Sequence, residues 1–226
     1  MSGRGYALAM TDASPWSAAR RLLLPAAALT VANVIAGRLI TGPLRGLPTE
    51  TAAIEALQAR RTPVRDRIAR AVSTTSDVPA SVALAVASIP LLRVRGRSWP
   101  QSVVPALAMG LETVVYLAAG AAVSRERPPV ERLDHDQPTS SFPSGHVGAT
   151  VALLTVAWAA AGRIESPGGR AAARAACLAY PSVLAPARVY VGMHYPSDVV
   201  VGVLNGLACG AMALRYEREV SPGRPS

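Results

Sequence analysis

Lysine is absent from this 226-residue chain; all 23 basic residues are arginine. Replacement on that scale looks like a GC-rich coding bias and points to a high-GC bacterium. Charge is scarce as well, at 16% of residues. A soluble domain carries about 25%, so an ordinary cytosolic enzyme is disfavoured. Disorder is excluded too, because half of the residues are hydrophobic and the mean hydropathy is +0.28. There are two cysteines, Cys177 and Cys209, both inside apolar runs, where they read as small hydrophobes. With no CxxC and only three histidines, a zinc site has no ligand set, and no metal or other cofactor is expected. The net charge of +9 does not mark a nucleic-acid partner, because the arginines stand in short clusters between apolar runs.

What the chain does have is apolar length. Six segments stand out: Leu22–Thr41, Val78–Leu92, Ser102–Val123, Gly145–Ala161, Ala171–Val191 and Val199–Leu214. Several fall short of the ~20 residues that cross a bilayer comfortably, and Val78–Leu92 is the weakest of them. Gly, Ala and Pro are frequent within them, as in closely packed membrane helices. These segments predict an all-α integral membrane bundle of about six transmembrane helices over residues 22–214. Residues 1–21 are expected to be a cytoplasmic segment and residues 215–226 a cytoplasmic tail. Some twenty residues precede the first apolar run, so it reads as an uncleaved helix rather than a secretory signal.

Arginine counts orient the bundle. With the N-terminus inside, 12 arginines lie on the cytoplasmic side and 10 opposite. Six of those ten belong to the connector Gly42–Asp77, where Ile54, Leu57, Val64, Ile68 and Val72 recur at helical spacing, broken at Pro63. That pattern predicts an amphipathic segment on the outer membrane surface, its arginines facing headgroups. Setting it aside leaves 12 against 4, which favours the N-terminus inside.

Three polar groups interrupt the apolar pattern: Arg125-Glu126-Arg127-Pro128, Ser141-Phe142-Pro143-Ser144-Gly145-His146, and Arg188-x5-His194-x3-Asp198. Two crossings fit between His146 and Arg188, so all three groups return to one side. Their chemistry suits a phosphate. Ser144-Gly145-His146 stands where a helix should begin, and helix N-terminal amides attract anions. Arg127 and Arg188 can each fork onto phosphoryl oxygens. Asp198, third in a helix opened by Pro196, can reach back to a ring N–H of His194. That bond would fix the tautomer and leave the other nitrogen free to attack phosphorus. His146 is then the candidate general acid.

With these motifs the chain resembles the type 2 phosphatidic acid phosphatases, which share a fold with vanadium haloperoxidases. That family pattern is Lys-x6-Arg-Pro, Pro-Ser-Gly-His and Ser-Arg-x5-His-x3-Asp. The chain carries Arg127-Pro128, then Pro143-Ser144-Gly145-His146, then Arg188, His194 and Asp198. The resemblance implies that His194 is the phosphorylated nucleophile, backed by Asp198, and that His146 is the acid. It implies that Arg127, Ser144, Gly145 and Arg188 hold the phosphate. The first motif departs from the pattern: its Lys position is Gly120. The Ser before Arg188 is Ala187. Arg125 is the nearest cation that could replace the lysine.

Glu112, in mid-span, reads as a bundle-interior pair or a protonated carboxyl ahead of a catalytic group. Asp134-His135-Asp136 reads as a solvated loop rather than a metal site. The expected activity is metal-independent hydrolysis of a lipid phosphate or diphosphate, of the phosphatidic acid or undecaprenyl diphosphate type. The expected location is the bacterial plasma membrane, with the site extracytoplasmic. A non-catalytic lipid-phosphate binder and a haloperoxidase-like oxidoreductase are the competing readings.

Overall fold

The computed structural model describes residues 15–221, apart from residue 136. Among them all regular structure is helical: α1 (Pro15–Thr41), α2 (Pro48–Gln58), α3 (Pro63–Thr74), α4 (Val78–Val94), α5 (Trp99–Val123), α6 (Gly145–Ala161), α7 (Pro167–Tyr190) and α8 (Pro196–Val220). Proline stands at the first or second position of seven of these, all but α6. There the missing N–H costs nothing and the fixed φ favours the helix.

The six apolar segments fall on α1, α4, α5, α6, α7 and α8, Ala171–Val191 running one residue past the end of α7. Among the described residues, three helices are long and apolar enough to cross a membrane: Arg20–Thr41, Trp99–Val123 and Pro196–Val220. α4 and α6 have 17 residues each, about 25 Å of helix. α7 begins with Arg170 and Arg174 and contains Pro181 and Pro186, which lowers its apolar character. α1 begins earlier than Leu22 and α8 runs past Leu214, so the bundle takes in residues expected to flank it. The expected N-terminal segment through residue 14, and residues 222–226 of the tail, lie outside the described residues.

α6 is the axis of the fold, packed against α8, α5 and α7; α1 and α4 flank α5. Ala26, Val104, Ala108, Val115, Ala152, Val156, Cys209 and Ala213 form the core shared by α1, α5, α6 and α8. Large apolar side chains also point outward, among them Leu24 and Ile35 on α1, Leu84 on α4, Val114 on α5 and Leu204 on α8. A bundle apolar inside and out is what a lipid environment asks for.

The α6–α8 contact sets the site. Gly202, Gly206 and Gly210 recur every fourth residue on α8. A Cβ at the first two would come within 2.5 Å of the Ser144 and Gly148 carbonyls, and one at Gly210 within 2.6 Å of Thr155. Small residues at this spacing let two backbones touch. The N-termini of α6 and α8 are thereby pinned together, and the Ser144 amide donates to the Asp198 carbonyl at 3.0 Å.

The connector 42–77 departs from a simple surface segment. It forms two helices, separated before Pro63 as its spacing predicted, but the apolar face of α2 packs on protein. Ile54 is fully buried with Val147, Leu184 and Val199. On α3, Val64 and Ile68 are exposed and remain available to a membrane surface. The physical reason is geometric: α2 and α3 close over α7 at the end where the polar groups gather.

Candidate active site

The C-terminal end of α5, the start of α6, the α7–α8 turn and the connector meet at one end of the bundle. His194 is placed by the turn after α7. Gly192 adopts φ 76° there, and a Cβ on it would come within 2.7 Å of the Glu131 carbonyl. The His194 ring is buried, with Nδ1 at 2.7 Å from the Ser141 carbonyl. A carbonyl only accepts, so Nδ1 carries the proton and Nε2 presents a lone pair. Arg188 Nη2 faces that nitrogen at 3.5 Å. Burial first, then the charges of Arg188 and Arg127, hold the imidazole well below the usual histidine range.

The expected hydrogen bond from the His194 ring to Asp198 is not made. Asp198 Oδ2 lies 4.0 Å from Nδ1. It accepts instead from the Ser141 hydroxyl at 2.5 Å and from the Tyr195 amide at 2.9 Å, while Oδ1 takes Arg125 at 2.6 Å. The cause is the Ser141–Phe142 segment, whose carbonyl occupies the place facing the ring. Asp198 therefore grips the two segments that bracket His194, namely Ser141 in front and Tyr195 behind.

Arg125 is also elsewhere than expected. Its guanidinium is buried between Asp198 and Glu50, at 2.6 and 2.9 Å, and donates to Ser197 Oγ and the Gly46 carbonyl. Tyr195 covers it, its ring centroid 3.8 Å from the guanidinium carbon. Glu50 accepts in addition from the Ser197 amide and hydroxyl. Arg125 thus lies behind Asp198, away from the cavity wall that contains both histidines. Two carboxylates claim it, and no replacement for the absent lysine is supplied here. Gly120 is likewise missing from that wall; a Cβ on it would press to 3.3 Å from the Phe142 carbonyl.

Arg127 does face the cavity, held by the Met193 carbonyl at 2.7 Å and by Thr139. Gly145, His146 and His194 share the same space of about 220 Å³. Ser144 caps α6, fully buried, with Oγ lacking a partner. Arg188 has the same feature at Nε, while its Nη1 pairs with Asp134 at 2.7 Å and also donates to Ser73. Buried donors without acceptors are uncommon and mark a place for a ligand oxygen.

Asp134 is therefore no solvated loop residue. Burial opposes its ionisation, but bonds from Ser73, the His135 amide and Arg188 outweigh this and hold the carboxyl below its ordinary range. Asp136 lies outside the described residues. Asp77, before α4, stands 3.5 Å from His146 Nε2, and burial together with Asp134 raises its carboxyl. Sequence reasoning missed Ser73, Asp77 and Glu50, and gave no role to Ser141, which it had placed in the second polar group. Glu50 alone left a signal, because it shares a helix face with Ile54.

Comparisons with known proteins give the family and the fold. The model of the PAP2 superfamily matches residues 101–221. A decaprenylphosphoryl-5-phosphoribose phosphatase of Mycobacterium tuberculosis is 36% identical over 97 residues, which are 40% of this chain and 46% of that protein. The match thus spans less than half the length of this curated relative. The crystal structure of a transmembrane PAP2 type phosphatidylglycerolphosphate phosphatase from Bacillus subtilis superposes with a TM-score of 0.72 at 18% identity, covering 93% of this chain and 98% of that one. Aquifex aeolicus LpxE gives 0.57 at 22% identity, over 74% and 95%. The fold is thus that of membrane PAP2 phosphatases, and with more than half its length under the family model, this chain belongs to the PAP2 superfamily.

Proposed function

We propose that the chain is a metal-independent membrane phosphatase that removes a phosphoryl group from a lipid through a phosphohistidine. The observation that carries the reading is the bare Nε2 of His194, beside Arg188 and in one cavity with Arg127 and His146. His194 Nε2 attacks phosphorus, and the phosphorus–oxygen bond to the lipid breaks. The departing oxygen takes a proton from His146, whose Nε2 lies 3.5 Å from Asp77. Water then attacks the phosphohistidine, giving its proton to His146, and the phosphorus–nitrogen bond breaks to release phosphate. Arg127, Arg188, Ser144 and the α6 amides at Gly145 hold the phosphoryl oxygens as charge redistributes.

Candidate substrates are phosphatidic acid-like lipids, undecaprenyl diphosphate and a polyprenyl-linked sugar phosphate of the kind named for the M. tuberculosis relative. A phosphate-release assay over these three in detergent tests the reading. Release that survives EDTA and is inhibited by vanadate, a mimic of five-coordinate phosphorus, is expected. Activity lost to EDTA and restored by magnesium would contradict it.

His146→Ala is expected to lower kcat/KM, which reports the steps up to phosphoenzyme formation, by about 10²–10⁴ on alkyl phosphates. The loss should shrink on p-nitrophenyl phosphate, whose leaving group departs without a proton. An equal loss on both would deny His146 the acid role.

We place the site on the extracytoplasmic side of a bacterial plasma membrane. In a background lacking Cys177 and Cys209, a cysteine at Gln137 should react with an impermeant thiol reagent applied to intact cells. One at Gly168, in the first turn of α7 at the other end of the bundle, should not. The reverse pattern would put the site in the cytoplasm.

A further inference from the structure

The histidine cavity continues inward between α4, α5 and α6, and its inner wall contains Glu112. This side chain is 1% exposed, and its Oε1 has no partner. Gly148 makes the room for it, since a Cβ there would lie 2.0 Å from Oε1. Gly148 is three residues into the membrane from Gly145, about 4.5 Å along the axis. The carboxyl therefore stands about one helical turn beneath the phosphate site, where the leaving group of a phosphomonoester would lie.

Four hydroxyls of this wall have their protons already committed, and the Gln137 amide and the Thr139 hydroxyl stand in it as well. Tyr116 donates to Thr139 at 2.8 Å, Thr113 to the Met109 carbonyl at 2.9 Å, Ser76 to the Ser73 carbonyl at 2.8 Å and Ser81 to the Ser76 carbonyl at 3.2 Å. What remains on each oxygen is lone pairs. Such a wall, with lone pairs on these hydroxyls and N–H donors on Gln137, rewards a ligand group that both donates and accepts. Acyl esters and a second phosphate only accept, and among the described residues the wall's arginine is Arg127. A hydroxyl suits Glu112 in either protonation state, donating to the anion or accepting from the acid.

We infer that the cavity around Glu112 is a subsite for hydroxyl groups on the leaving group, so that the preferred substrate is the phosphomonoester of a sugar- or polyol-type lipid headgroup. This rests on the phosphatase reading above and narrows it; Glu112 becomes the residue that sets headgroup specificity.

The test compares dodecyl riboside 5-phosphate with its 2,3-dideoxy analogue and with a short-chain phosphatidic acid. Wild type should favour the riboside over the dideoxy compound by at least about tenfold in kcat/KM. In Glu112→Leu, and in Gly148→Ala, which displaces the carboxyl, that ratio should fall towards one. The ratio is taken on one preparation, so a reduced folded fraction cancels. Glu112→Gln, which keeps hydrogen-bonding capacity, should retain part of the preference. A wild type that hydrolyses all three comparably overturns the inference and leaves the phosphatase reading standing. So does a ratio unchanged by both Glu112→Leu and Gly148→Ala, or a strong preference for an aminoalkyl phosphate, which would make Glu112 a cation site. A wild type that hydrolyses none of the three overturns both.

Discussion

Alanine in place of His194 is expected to reduce phosphate release by at least about 10⁴-fold, because among the described residues lining the cavity it is His194 whose buried ring turns an unprotonated nitrogen towards Arg188. Arg188 and Arg127 would still bind phosphate, so substrate affinity should persist while turnover is lost. The pH dependence follows from the ring's environment. The attacking form is neutral, and burial with two nearby guanidiniums keeps it neutral well below the ordinary 6.5. The nucleophile should therefore impose no loss of kcat/KM as pH falls through 6.5, and protonation should stop it only at distinctly lower pH. Stability carries the opposite trend. Below 6.5 the unfolded chain gains a proton on His194 that the folded one refuses, so this group makes unfolding easier as pH falls. Thermal unfolding in detergent across pH 5 to 8 should show that slope, and His194→Asn should reduce it. An acid limb of kcat/KM centred on 6.5 that moves when His194 is varied would contradict this account.

Arg125→Ala is expected to be the most destabilising single change at this end of the bundle. It leaves Asp198 and Glu50 buried without their shared cation, and breaking a buried pair costs about 3–5 kcal/mol. It also releases the Gly46 carbonyl, which closes a turn where Arg45, Gly46 and Leu47 all have positive φ. The melting temperature should drop markedly, and kcat should fall because Asp198 no longer holds Ser141 and Tyr195 around His194. Arg127→Ala should show the other balance, a large loss in kcat/KM with a smaller change in melting temperature. An Arg125→Ala protein with unaltered melting temperature and a raised KM alone would restore Arg125 to the phosphate.

The contrast shows which parts of the site were legible. Spacing placed His146, Arg188 and His194 at one end because helix parity is a counting argument, and the structure gathers them there. The helical nature of all six apolar runs was equally plain from their length and composition. Contact partners were not readable. Asp198 at the third helical position could reach back to either the ring or a neighbouring amide, and sequence holds nothing about the Ser141 carbonyl that takes the ring proton. Arg125 stood two residues from Arg127 and looked like a second phosphate ligand. Only the folded chain brings Glu50 across from the connector to claim it. Ser73 and Asp77 belong to that same connector, whose amphipathic pattern spoke of a membrane surface and concealed its contribution to the site. Glu112 was visible as a charge in mid-span, but its opening towards the cavity depends on Gly148 of another helix.

Trapping the covalent intermediate tests the central claim most directly. The His146→Ala protein, which lacks the group that activates water, is mixed with p-nitrophenyl phosphate, quenched in alkali where phosphohistidine survives, and its peptides are analysed by mass. The account predicts one phosphoryl group on the peptide that contains His194, absent when His194 is also replaced by alanine. Phosphoryl on Ser144, or turnover of this substrate with no phosphorylated peptide at any time, would contradict it.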